Sequence, residues 1–409
     1  MYLYNSINNC KRLLIIGASG LQLPAIQKAK EMGLCVAVAD YNPAAIGIPF
    51  ADEYYNVSTI DEVGVYQAAK DFGADGIITL ATDMPMRAVA YACCKLGLIG
   101  ISYDTAIKST DKAEMIKAFQ LNGLDHPWFY VLSGTEGIAN IREEITYPCI
   151  SKPTDNAGSR GVMWINRRED LSRAVHYSSK HGRNGSVIIE EYMHGSEVSV
   201  EVIVFNGVPH VLAVTNKRTT GEPHFVEMEH SQPCCLSDVH VKEINQLACR
   251  AVKAVGIENG PAHVEIMLTA DGPKMIELGA RMGGDCITTH LVPLSTGVDM
   301  VKATIQIALG ETPDLKRRYQ RGAAIRYFYV PNGVIQSIDG VENASRIDGV
   351  KEITFIKNVG DTVDDFGNSN DRVGYVIAQG NNAKDAIGLC EAATENIRIS
   401  INEVTANAV

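Results

Sequence analysis

The chain has 409 residues, 46% hydrophobic and 21% charged, which excludes a disordered polymer. At roughly 100 to 200 residues per domain, two or three domains are expected. A balance of 37 Lys and Arg against 48 Asp and Glu, net −11, argues against a general affinity for nucleic acid or anionic lipid.

The apolar run Leu13 to Ile16 is too short for a signal-peptide core, and no later run reaches the ~20 apolar residues of a membrane span. A cytoplasmic protein without a membrane partner is expected. Cys93-Cys94 and Cys234-Cys235 are neighbours, but no Cys-x-x-Cys occurs, so reduced, mostly buried thiols are expected rather than a disulfide framework.

In chain order, Leu13 to Ile16 reads as a buried strand, Leu21 to Met32 as a helix and Cys35 to Ala39 as a second strand. Asp61 to Phe72 follows as a helix and Gly76 to Leu80 as a third strand. Strands separated by crossover helices make a parallel sheet, so 1–104 is predicted to be a doubly wound α/β domain. Gly17-Ala18-Ser19-Gly20 and Asp40 outline a dinucleotide fingerprint, but Ser19 and Gln22 stand where its second and third glycines belong. A tight strand-to-helix turn is the favoured reading.

From 105 to 320 the texture is α+β. A polar helix spans Thr105 to Leu121, followed by extended runs at Tyr147 to Lys152, Val162 to Ile165, Val187 to Tyr192 and Val198 to Phe205. Asn206-Gly207 and Asp271-Gly272 mark antiparallel hairpins. The segment 321–409 reads as a β-rich α+β domain. Its strands are Ala323 to Val330, Val334 to Ile338, Ile353 to Lys357 and Gly374 to Ala378, closed by a helix from Ala383 to Ile397. Its apolar strands offer a surface for a homodimer.

Several motifs carry chemistry. Lys152 ends a strand and precedes a loop containing Gly158-Ser159-Arg160-Gly161, where backbone amides and a fixed ammonium suit phosphate. Glu190-Glu191-Tyr192-Met193 and Glu197 link two strands, and an acid there can accept from ribose hydroxyls. Glu265 and Glu277 stand symmetrically about Asp271, so a regular hairpin would oppose them. Opposed like charges destabilise a sheet unless neutralised, and hard carboxylate oxygens suit Mg²⁺ or Mn²⁺.

Arg281, followed by Gly283 and Gly284, can hold a carboxylate or a transferring phosphoryl group. Glu227 and His230, bracketed by Pro223 and Pro233, read as a substrate loop. Cys286 reads as a packing residue because no paired base is evident.

Together these motifs resemble the ATP-grasp superfamily over nearly the whole chain. The resemblance implies a doubly wound amino-terminal domain, a central ATP-grasp domain and a β-rich carboxy-terminal domain. It further implies that Lys112 and Lys152, with the loop Gly158, Ser159, Arg160 and Gly161, bind ATP phosphates. Glu190, Glu191 and Met193 would line the adenine, Glu197 would hold the ribose, and Glu265 and Glu277 would bind magnesium. The family's Glu-x-Asn is interrupted here by Gly279.

Glu-Leu-Gly-Ala-Arg-Met-Gly-Gly and the segment from Glu227 look most like the L-amino acid ligases, and the three-part layout is similar to biotin carboxylase. The activity implied is an ADP-forming carboxylate-amine ligase acting through an acyl-phosphate on small-molecule acids and amines, which on that branch are amino acids. Arg281, Gly283 and Gly284 would serve the reacting carboxylate, Glu227 the substrate's ammonium, and His230 a nearby binding or proton-transfer role. Two alternatives stand beside it: a carboxylase using carboxyphosphate, and a non-catalytic nucleotide or metabolite binder.

Overall fold

The computed structural model describes residues 10–402, apart from 136, 142, 159, 223, 224, 365, 366 and the side chain at 370. In the first hundred residues β1 (Arg12–Ile16), α1 (Leu23–Glu31), β2 (Cys35–Ala39), β3 (Glu53–Tyr55), α2 (Glu62–Phe72), β4 (Gly76–Ile78) and α3 (Met86–Leu96) follow one another. The strands pair in parallel in the order β3-β2-β1-β4. Leu13, Ile15, Val36 and Val38 pack on one face, Leu14, Ile16, Ala37 and Ala39 on the other. Such two-sided burial is why each strand is a continuous apolar run.

The Gly17 turn is closed on itself. Gly17 N donates to Ala39 O and Ala18 N to the Asp40 carboxylate, both at 2.8 Å, while the Gln22 amide donates to Leu80 O at 2.8 Å. Those bonds occupy Asp40 within the turn. Parallel pairing of β1 with β2 also seats Cys10 beside Cys35, and the two form a disulfide with a Cα–Cα distance of 6.0 Å. This overturns the expectation of reduced thiols for that pair, whereas the remaining eight cysteines are free.

The polar helix expected over Thr105 to Leu121 is two helices, α4 (Tyr103–Thr110) and α5 (Lys112–Leu121). Asp111 breaks it by taking an extended conformation and accepting hydrogen bonds from the Ala113 and Glu114 amides, the role an aspartate plays at a helix N-terminus. Lys112 thereby starts α5.

Next come β5 (Phe129–Ser133), α6 (Ile138–Ile141), β6 (Cys149–Pro153), β7 (Met163–Ile165), α7 (Leu171–His181) and β8 (Ser186–Glu191). Their strands form an antiparallel sheet in the order β5-β8-β6-β7. The chain continues through β9 (Ser196–Phe205), β10 (Val208–Thr219), β11 (Glu227–Gln232), α8 (Asp238–Val255), β12 (Gly260–Thr269), β13 (Gly272–Gly279), α9 (Val292–Thr296) and α10 (Met300–Ala308). Asn206 and Gly207, both at positive φ, close the β9–β10 hairpin as expected.

The last segment holds β14 (Gly322–Tyr327), β15 (Gly333–Asp339), α11 (Val341–Ser345), β16 (Val350–Phe355), β17 (Thr362–Val363), β18 (Gly374–Gly380), α12 (Ala383–Asn396) and β19 (Arg398–Asn402). An eight-stranded sheet, β13-β12-β9-β10-β11-β14-β18-β16, runs from the central segment into this one through the β11–β14 pairing. A smaller sheet has the order β17-β15-β19. Among the described residues no helix is long and apolar enough to cross a membrane.

Candidate active site

The site lies on the β12-β9-β10-β11 part of the large sheet. In the β12–β13 hairpin, Thr269 opposes Gly272 and Ile266 opposes Met275, a register that would set Glu265 against Ile276. A bulge between Glu265 and Ile266 shifts the pairing so that Glu265 opposes Glu277. The two acids are therefore register partners because the hairpin is irregular, not because it is regular.

Glu265 Oε1 accepts from Lys217 Nζ at 2.8 Å and sits 3.3 Å from His263 Nε2, and Glu277 Oε2 lies 3.0 Å from Lys112 Nζ. Those contacts fall on one oxygen of each carboxylate and leave the other for a hard cation, so the donor set fits Mg²⁺ or Mn²⁺. Against the pull of burial, Lys217 and His263 hold the Glu265 carboxyl well below the usual range. His263 Nδ1 is 3.0 Å from both oxygens of buried Glu201. Burial opposes its charge, but Glu201 outweighs burial and raises its pKa to about 9.

Lys217, on β10, is the hub of the neighbouring strands. Its ammonium lies 2.6 Å from Glu197, 2.8 Å from Glu227 and 2.8 Å from Glu265, with its side chain 2% exposed. The three carboxylates hold it well above its ordinary pKa against burial. Glu227 and His230 lie on a strand, not in the expected loop, and Pro223 lies outside the described residues. Residues three apart in a regular strand face opposite ways. Here Arg218 opposes Glu229 while Thr219 opposes Glu227, and the extra residue, Met228, turns Glu227 and His230 toward one site.

His230 Nε2 is 3.3 Å from Asp285 Oδ2, and Arg372 spans Asp285 at 3.0 Å and Glu227 at 3.4 Å. Burial and the nearby Asp285 charge raise the Glu227 pKa despite Lys217. Burial is overcome at Asp285, where His230 and Arg372 hold the carboxyl well below its usual value. Among the described residues His230 Nδ1 and Arg372 Nε, both buried, find no hydrogen-bond partner, so this wall retains donor and acceptor capacity for a polar ligand.

On the opposite side, Lys152 and Glu190 form a buried ion pair, and Lys152 stays above its ordinary pKa because Glu190 and Glu277 outweigh burial. The Glu190 carboxylate is thus spoken for, and Glu191 lies 3.3 Å from Lys274. Met193 lies in the connection between β8 and β9. Lys112 donates to Asn156 O at 2.8 Å, which draws the loop toward α5. Gly158 and Gly161 have positive φ, Arg160 donates to Ala157 O, and Ser159 lies outside the described residues.

Arg281 is gripped by Asp83 from the loop after β4, with Nε to Oδ1 at 2.9 Å and Nη2 to Oδ2 at 2.8 Å. This bidentate pair lies over Gly279, where a Cβ would fall 2.7 Å from Asp83 Oδ1 and 2.9 Å from Arg281 Nε. A side chain at 279 would displace the pair, which is the physical reason for glycine there. A Cβ on Gly283 would likewise stand 2.5 Å from His263 Nδ1, while Gly284 lies open toward Ala81 O. Beyond them Asp285 and Cys286 both have positive φ. Cys286 does have a basic neighbour: a hydrogen bond to Cys286 and then one to Glu352 raise His290 to about 10.

Asp83, Lys217, His263 and Arg372 were not singled out from the sequence. The only signal for Lys217 was a charged residue inside a long strand run, and Asp83 and Arg372 lie far from the motifs they serve.

Residues 145–289 match the ATP-grasp domain, and 326–402 match the L-amino acid ligase C-terminal domain 2. The alanine–anticapsin ligase of Bacillus subtilis (strain 168) is 28% identical over 340 residues, covering 76% of this chain and 71% of its own. The L-amino acid ligase structure from Bacillus licheniformis superposes over 96% of this chain and 99% of its own, with a TM-score of 0.85 at 24% identity. A biotin carboxylase–β-γ-ATP complex from Campylobacter jejuni shares the fold, covering 96% of this chain and 92% of its own with a TM-score of 0.75 at 19% identity.

Proposed function

We propose that this chain, an ATP-grasp enzyme of the ligase class, joins a carboxylate to an amine, with an amino acid among its substrates, through an acyl-phosphate. The observation that carries the reading is the Glu265–Glu277 register pair, flanked by Lys112 and followed by Arg281, in a chain whose residues 326–402 match the L-amino acid ligase C-terminal domain 2.

Lys112 and Lys152 would neutralise the phosphates, and Glu197 would accept from the ribose. Magnesium on Glu265 and Glu277 would supply positive charge to the terminal phosphate oxygens. Arg281, oriented by Asp83, and the Gly283–Gly284 amides would hold the carboxylate. Its oxygen attacks the γ-phosphorus, the bond to the ADP oxygen breaks, and ADP leaves. The amine then attacks the acyl carbon, phosphate departs with the bonding pair, and the amine's proton passes to phosphate or a nearby base. Glu227 would receive a substrate ammonium group, with His230 beside it in a binding or proton-transfer role. The loop through Gly158 and Gly161 would exclude water that otherwise hydrolyses the intermediate.

The test incubates the full chain with Mg-ATP and pools of amino acids and records phosphate release and product mass. ADP with an amide-linked product supports the ligase. Bicarbonate dependence without an amide, or binding without turnover, replaces it with one of the two alternatives. Glu277→Ala should abolish ATP turnover with the fold intact, and normal ADP production by that variant would remove the metal assignment.

A further inference from the structure

Four adjacent strands of the large sheet each send one charged side chain to a single point. They are Glu265 from β12, Glu197 from β9, Lys217 from β10 and Glu227 from β11. An ammonium has three N–H donors and no acceptor. Here oxygens of three carboxylates lie 2.6, 2.8 and 2.8 Å from it, and the lysine side chain is almost wholly buried. Each acid belongs to a different ligand in the reading above: Glu197 to the ribose, Glu265 to the metal, Glu227 to the substrate ammonium. Among the described residues, the group common to all three is Lys217.

We propose that Lys217 is a built-in cation at this meeting point, fixing three carboxylates as a bound metal would, and that it couples the nucleotide side of the site to the amine side. The coupling half rests on the ligase reading; the counter-cation half rests on geometry alone. A lysine tethered to β10 cannot exchange, so in the ligand-free chain the three acids are held together around it. A ligand that draws one carboxylate away leaves the ammonium to the other two, and that is how occupancy on one side is felt on the other. Lys217 is a positioning residue in this scheme, since it acts through Glu197, Glu227 and Glu265.

If the proposal holds, Lys217→Met removes the one cation the three carboxylates share, leaving only His263 beside Glu265 and Arg372 beside Glu227, and the three acids recruit a replacement. Mn²⁺ binding to the nucleotide-free full chain is followed by electron paramagnetic resonance. Lys217→Met should gain one Mn²⁺ site bound about tenfold more tightly than any in the wild type, because three carboxylate oxygens suit that ion. Lys217→Arg, which keeps the charge, should not gain it, and adding Glu227→Gln to Lys217→Met should remove it. Should Lys217→Met be poorly folded, its melting temperature should rise with added Mn²⁺ more than that of the wild type.

Mg-ADP affinity, read by calorimetry, tests the coupling. Glu227→Gln should weaken Mg-ADP about threefold in the wild-type background and leave it unchanged with Lys217→Met, as a double-mutant cycle requires of a shared partner. A Lys217→Met chain with neither extra Mn²⁺ nor Mn²⁺-dependent stabilisation overturns the counter-cation. Glu227→Gln with wild-type Mg-ADP affinity overturns the coupling. Neither measurement needs an acid, an amine or turnover, so a failed ligase assay leaves both results standing.

Discussion

His263 gives a pH-dependent stability whose sign and size follow from its surroundings. Its imidazole lies between Glu201, 3.0 Å away, and Glu265, 3.3 Å away, and its pKa rises from 6.5 to about 9 in the folded chain. Between those values the native state holds a proton that the unfolded state has released, so stability falls as pH rises. The contribution is fully present below pH 6.5 and is lost as pH passes through about 9. At 1.36 kcal/mol per pH decade, the loss is on the order of 3 kcal/mol.

His263→Gln removes the titrating group but keeps a polar side chain, so groups that titrate in both proteins cancel in the comparison. The assay is the melting temperature of wild type and variant from pH 6 to 10, at constant ionic strength. The wild type should be the more stable at the acid end, and its advantage should shrink by several degrees toward the alkaline end, as about 3 kcal/mol implies for a domain of this size. Parallel pH profiles for the two proteins would refute a charged His263 in the native state.

Asp83→Ala should lower turnover more than nucleotide affinity, because Arg281 loses both of its hydrogen bonds to Asp83; steady-state kinetics beside Mg-ADP binding separate the two. Breaking such a largely buried pair costs up to ~3–5 kcal/mol, so thermal stability should fall as well. Gly279→Ala should reproduce the Asp83→Ala kinetics, since its Cβ would fall 2.7 Å from Asp83 Oδ1; wild-type rates would show that the pair can move aside. Glu352→Gln removes the carboxylate 3.3 Å from His290 Nε2 and should lower the His290 pKa from about 10, read by NMR titration.

The sequence made the doubly wound start legible because its strands are buried on both faces and interrupted by helical periods, as in Leu13 to Ile16 and Cys35 to Ala39. It made the Glu265–Glu277 partnership legible as well, yet through a regular hairpin that does not exist. The turn register would have set Glu265 against Ile276, and the bulge beside Ile266 restored the pairing. A second bulge, at Met228, converts Glu-x-x-His from opposite strand faces to one face. Such one-residue shifts move every side chain beyond them, and periodicity does not announce them.

The remaining gap is one of distance along the chain. Arg281 reads locally as a residue free to bind substrate, but its guanidinium is held by Asp83, 198 positions earlier. Lys217 reads as an ordinary charge in a strand until β9, β11 and β12 are laid beside it and three acids close around its ammonium. Motifs therefore disclose groups that would meet ligands, whereas partners such as Asp83 and Lys217 that fix their geometry come from the tertiary fold. It follows that variants of Lys217 and Asp83, which no motif contains, should perturb the site as strongly as variants of the motif residues themselves.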